Sequence, residues 1–88
     1  MNDTSPNSDE LSRWLREQGK SQQWLADELN RLRADNGIAG RVARATIWRW
    51  ISRATQISLD DAVMVEAVTR GRVRAINWSS FASLLEAA

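Results

Sequence analysis

Residues 21–29 read Ser21-Gln22-Gln23-Trp24-Leu25-Ala26-Asp27-Glu28-Leu29, and residues 42–51 read Val42-Ala43-Arg44-Ala45-Thr46-Ile47-Trp48-Arg49-Trp50-Ile51. Both runs carry the spacing of short amphipathic helices. In the first, Ser21 is a favourable N-cap, because its hydroxyl accepts from an orphan N–H of the opening turn. Leu25, Ala26, Leu29 and then Leu32 form one apolar stripe, with Trp24 at its edge. In the second, a helix over about Ala43–Ser52, Ile47, Trp50 and Ile51 fall at i, i+3 and i+4 and face inward. Arg44, Ala45, Trp48 and Arg49 are left on the opposite side. Alanine is a poor N-cap, so the start of this helix lies between Val42 and Arg44.

On the N-terminal side, Leu11, Trp14 and Leu15 form a stripe of their own. Asn7 or Ser8 is its expected cap, and Gly19 is its expected left-handed stop. Residues 1–8 have tail composition and read as disordered. On the C-terminal side, Ser58 followed by Asp61 is a capping-box variant. It opens a fourth helix through about Thr69, with Leu59, Ala62, Val65 and Glu66 on one face and Gly71 as its stop. Val63, Met64 and Val68 make that helix apolar on more than one side. Arg72-Val73-Arg74-Ala75-Ile76 alternates polar with apolar residues, which fits a short strand or an extended arm. Asn77 or Ser79 can cap a last helix carrying Phe81, Leu84 and Leu85. The fold class expected is all-α, a compact bundle of four to five short helices.

The chain has 88 residues, enough for one small domain. It has no cysteine and no histidine. Disulfides, thiolate metal sites and the commonest general base are therefore absent. No metal, cofactor or catalytic residue is expected. No apolar run approaches the length of a membrane span, and the polar N-terminus lacks the regions of a signal peptide. The expected compartment is the cytoplasm, with no membrane partner. A core this small leaves no room for a buried small-molecule pocket.

The net charge of +1 hides a strong pattern. Residues 31–53 carry six arginines against Asp35 alone, while residues 1–30 and 54–69 are both net acidic. Eleven of the twelve basic residues are arginine, whose planar fork suits phosphate and guanine edges. One basic face on an otherwise acidic surface points to nucleic acid, against the blander alternative of a solvated arginine-rich surface.

Taken in order, the runs 21–29, 42–51 and Leu59-Asp60-Asp61-Ala62-Val63-Met64-Val65-Glu66-Ala67-Val68-Thr69-Arg70-Gly71 resemble the helix-turn-helix of the Cro and lambda-repressor-like family of phage and bacterial regulators. The third run is similar to the segment after the recognition helix in Cro-like and YdaS-like members. The resemblance spans roughly residues 9–78. It implies a helix-turn-helix domain over 9–70, whose second helix crosses the DNA backbone and whose recognition helix, 43–52, enters the major groove. Gln22 looks like the family's phosphate-contacting glutamine. Arg44 sits where a base contact is made and suits a guanine edge; Ala45 suits a thymine methyl. Trp48 stacks on DNA or packs on the loop, and Thr46 bonds phosphate or its own helix. Arg49 and Arg53 complete the basic set.

One departure is large. Eleven residues, 30–40, stand where the family has a short turn. They are expected to lengthen the second helix by over a turn and to add a glycine-containing loop. Arg31, Arg33 and Arg41 would then clamp phosphates beside the recognition helix.

Dimerisation follows from physics, since one recognition helix reads only a few base pairs. The C-terminal arm or helix, 71–88, is the candidate dimerisation region, with Val68, Val73, Ile76, Phe81, Leu84 and Leu85 as contacts. The function expected is that of a sequence-specific DNA-binding repressor occupying a double-stranded operator in a bacterial or phage-infected cell. The competing reading is an antitoxin-like interaction module whose C-terminal region binds a partner protein. An enzyme is not expected: Asp27-Glu28 and Asp60-Asp61 are neighbours on helices, pointing about 100° apart, and do not converge on one ion.

Overall fold

The computed structural model describes residues 6–52 and 55–79. Among these, four helices follow one another: α1 (Pro6–Glu17), α2 (Gln22–Asp35), α3 (Arg44–Ile51) and α4 (Leu59–Val68). A 3-10 turn, Ala75–Trp78, closes the described chain. The fold is an all-α bundle. Among the described residues no helix is long and apolar enough to cross a membrane.

The local chemistry explains most boundaries. Pro6 opens α1, three residues earlier than the tail composition suggests. Proline is at home in a first helical turn, where its missing N–H would have had no partner. Gly19, at φ 65°, ends α1 as expected. Its N–H donates to the Arg16 carbonyl, while Lys20 N–H reaches back to the Leu15 carbonyl at 2.9 Å. Ser21 caps α2 by accepting the Trp24 N–H at 3.0 Å. The insert lengthens α2 to Asp35, and Gly37, at φ 68°, stops it in the same left-handed way as Gly19. Ala43 precedes α3 in extended backbone and makes no side-chain cap bond.

At α4 the Ser58 hydroxyl accepts the Asp61 N–H at 3.2 Å. The reciprocal half of the expected capping box is missing, because the Asp61 carboxylate is paired with Arg33 instead. The stop of α4 also differs from expectation. Arg70 occupies the first left-handed position, at φ 56°, and Gly71 follows it at φ 86°. Holding a residue with a Cβ there costs about 1 kcal/mol.

The core is shared by every helix. Leu11 and Leu15 come from α1, Leu25, Ala26 and Leu29 from α2, Ile47 and Trp50 from α3, and Met64 and Val65 from α4. Val42 and Val73 enter from the connections. α2 packs against both α3 and α4; α1 packs against α3 and the 3-10 turn. Trp50 and Leu25 are core residues as expected, and Trp14 is half-buried against the core.

Residues 72–76 form neither a strand nor a free arm. The Thr69 hydroxyl donates to the Val65 carbonyl at 2.9 Å and accepts the Val73 N–H at 3.1 Å. That pins Val73 into the core, where it is fully buried. Glu66 accepts the Ala75 N–H at 2.8 Å and so anchors the 3-10 turn to α4. Leu59, expected on the packed face of α4, is exposed, while Met64 is buried.

Candidate nucleic-acid interface

The geometry of the basic face is set from behind. Asn30, on α2, donates its amide to the Val42 carbonyl at 3.0 Å and accepts the Val42 N–H at 2.7 Å. Val42 itself is buried, so the backbone just ahead of α3 is held by two hydrogen bonds and one apolar anchor. Two residues later α3 begins. Ile47 and Trp50 turn inward, and Arg44, Ala45, Trp48 and Arg49 stand exposed on the outer side, as the spacing predicts.

Gln22, Arg44, Ala45 and Trp48 line one shallow cleft between the beginnings of α2 and α3. Four residues singled out from the sequence are thus brought together at one place. Trp48 is 56% exposed, unusual for so large an apolar side chain. Thr46 is half-buried at the edge of α3. Arg41, Arg44 and Arg49 are exposed and have no carboxylate partner among the described residues. Arg53 lies outside them.

Two expected clamp residues behave differently. Arg33 is turned inward: its guanidinium pairs with the Asp61 carboxylate and donates to the Ala39 carbonyl at 3.0 Å. Its side chain is only 14% exposed and committed to these partners, so it is a brace between α2, the insert loop and α4 rather than an outward clamp. The reason is that the loop folds back over α2 and covers the arginine. Arg31 stays on the surface but lies between Glu28 at 2.9 Å and Asp35 at 3.4 Å. Its hydrogen bond to Glu28, more than any other neighbour, holds its pKa above the ordinary arginine value. Arg72 is engaged in the same way, by Glu10 and Glu17, which link the segment after α4 to α1.

The expected dimer contacts separate. Val73 is removed from any interface by its burial, because the turn after α4 feeds it into the core. Val68 is half-buried against the core, and Ile76 is 40% exposed. Phe81, Leu84 and Leu85 lie outside the described residues.

Sequence reasoning missed Asn30, whose amide both donates and accepts and therefore suits a two-bond grip on one residue's backbone. It also missed a second cleft lined by Trp14, Gln18, Lys20, Trp24, Val68, Thr69 and Arg70. There the Trp14 and Trp24 rings are tilted at 38° with centroids 6.1 Å apart, and the Lys20 ammonium sits 5.0 Å from the Trp24 ring centroid. Comparison of the chain with protein-family models, with curated proteins and with solved structures gave no match.

Proposed function

We propose that this chain is a sequence-specific DNA-binding regulator that occupies a double-stranded operator as a dimer, with α3 in the major groove. One observation carries the reading: Gln22, Arg44, Ala45 and Trp48 meet in a single open cleft. Arg44, in the first turn of α3, has the reach and planarity for a guanine edge, and Ala45 suits a thymine methyl. Gln22 opens α2, where a helix N-terminus favours phosphate. Arg41 and Arg49 flank the cleft in sequence and add charge without opposing carboxylates among the described residues. Regulation by occupancy in the cytoplasm of a bacterial or phage-infected cell follows from that role.

Selection of bound sites from random duplex DNA, followed by affinity measurements at two salt concentrations, tests the reading. The expected result is an enriched palindrome with half-sites about ten base pairs apart. Weak, salt-sensitive binding with no enriched sequence overturns it.

A further inference from the structure

The second cleft has a different composition from the first. Its floor is the tilted Trp14–Trp24 pair, and its rim carries Lys20, Arg70 and Gln18, all exposed. No carboxylate among the described residues lines it. The Lys20 ammonium rests over the Trp24 ring, which restricts an otherwise loose side chain to the cleft mouth. Arg70 is held in left-handed backbone, a conformation that glycine would adopt without strain. Its side chain is exposed and has no carboxylate partner among the described residues.

The two clefts share the first turn of α2. Gln22 lines one, Lys20 and Trp24 line the other, and Lys20 lies two residues before Gln22. Two residues span about 7 Å at most. The two clefts open on either side of the start of α2, so a polyanion lying across that helix N-terminus, rather than within either cleft alone, would meet both Gln22 and Lys20. A nucleic-acid backbone, already assigned to Gln22 by the reading above, is extended enough to bridge the two; an acidic peptide at Lys20 and Arg70 is the alternative that the test separates.

We infer that the Trp14–Lys20–Trp24–Arg70 cleft is a second DNA contact, gripping backbone phosphates that flank the half-site read by α3. The inference rests on the DNA-binding reading above. Lys20 and Arg70 supply the phosphate contacts, Gln18 adds a neutral donor, and Trp24 acts as a positioning residue for Lys20. Contacts of this kind carry affinity and register, not sequence information.

The test uses the full chain and labelled duplexes bearing the selected site, either extended by flanking duplex of arbitrary sequence or trimmed to the consensus, across a salt series. Each lost phosphate contact lowers the salt slope by about 0.9. The double variant Lys20→Ala/Arg70→Gly should lose about two units of slope and should bind long and trimmed duplexes alike, while keeping the wild-type consensus. Arg70→Gly alone should melt no lower than wild type, because glycine relieves the left-handed strain, and should still bind with a reduced slope. An unchanged slope in the double variant, with the preference for the longer duplex intact, overturns the inference while leaving the DNA reading standing. Loss of binding to a glutamate-rich peptide in that variant, with DNA binding unaltered, overturns it in favour of an acidic protein partner. A wild-type chain that selects no site fails the DNA reading, and this inference falls with it.

Discussion

Asn30 holds both the N–H and the carbonyl of Val42, at 2.7 and 3.0 Å. One side chain on α2 thereby sets where α3 begins, and with it the position of Arg44. Asn30→Ala would leave two partly buried backbone groups without partners. The expected loss is about 1–3 kcal/mol of stability, read as a lower urea midpoint. Asn30→Asp keeps the acceptor but sets a carboxylate oxygen against the Val42 carbonyl in a partly buried site, and should cost at least as much as Asn30→Ala. A neutral Asn30→Ala would mean that water replaces the grip and that Asn30 does not position α3.

The Arg33–Asp61 pair joins residues from α2 and α4, and both side chains are nearly covered. Arg33 Nε is buried without a hydrogen-bond partner among the described residues, so the pair is imperfectly satisfied. Asp61→Ala strands a buried charge and should cost about 3 kcal/mol. Arg33→Met with Asp61→Leu should recover most of that, since apolar residues of similar volume often replace such a pair without loss. The recovered double variant should bind DNA with the wild-type salt slope, in contrast to variants of exposed arginines.

Arg44→Ala should leave stability nearly unchanged, because the side chain is exposed. Affinity for the selected site should fall by about 1–3 kcal/mol, with preference relaxed at one base pair. Titration against matched and single-mismatch duplexes reads both effects. An equal fall on specific and random DNA would make Arg44 a phosphate contact.

Trp48 provides a control on packing. At 56% exposure, its truncation to alanine should cost under about 1 kcal/mol of stability. Truncation of Trp50, only 3% exposed, should cost about 3–5 kcal/mol. DNA affinity should fall for Trp48→Ala measured well below its melting temperature. A Trp48→Ala chain with native affinity would remove that ring from the interface.

The caps and stripes are legible in the sequence because they depend on neighbours within one turn. Ser21, Gly19, Gly37 and Ser58 each do locally what their residue type favours. The outward set of α3 is legible for the same reason: a 3.6-residue period divides inside from outside. Arg33 is not, because its burial depends on a loop returning over α2 and on a carboxylate 28 positions away. Nor is Val73: alternation with Arg72 and Arg74 imitates a strand, while the Thr69 hydroxyl and the left-handed Arg70 turn the chain inward. The exposure of Leu59 is equally hidden, because apolar character alone does not say which side of α4 meets the core.

The Asn30–Val42 ring also bears on the order in which the chain folds. It spans 12 residues, and the Arg33–Ala39 bond within it spans six. Both close loops short enough to form before distant segments meet, on roughly the microsecond timescale of local elements. The segment from α2 through α3 thus has the contacts of a folding nucleus, whereas the Arg33–Asp61 pair and the Arg72–Glu10 link join only after α1 and α4 dock. In a chevron experiment Asn30→Ala should then slow refolding, while Asp61→Ala should chiefly hasten unfolding. The residue that sets where α3 begins would be the same one that times the assembly of the bundle.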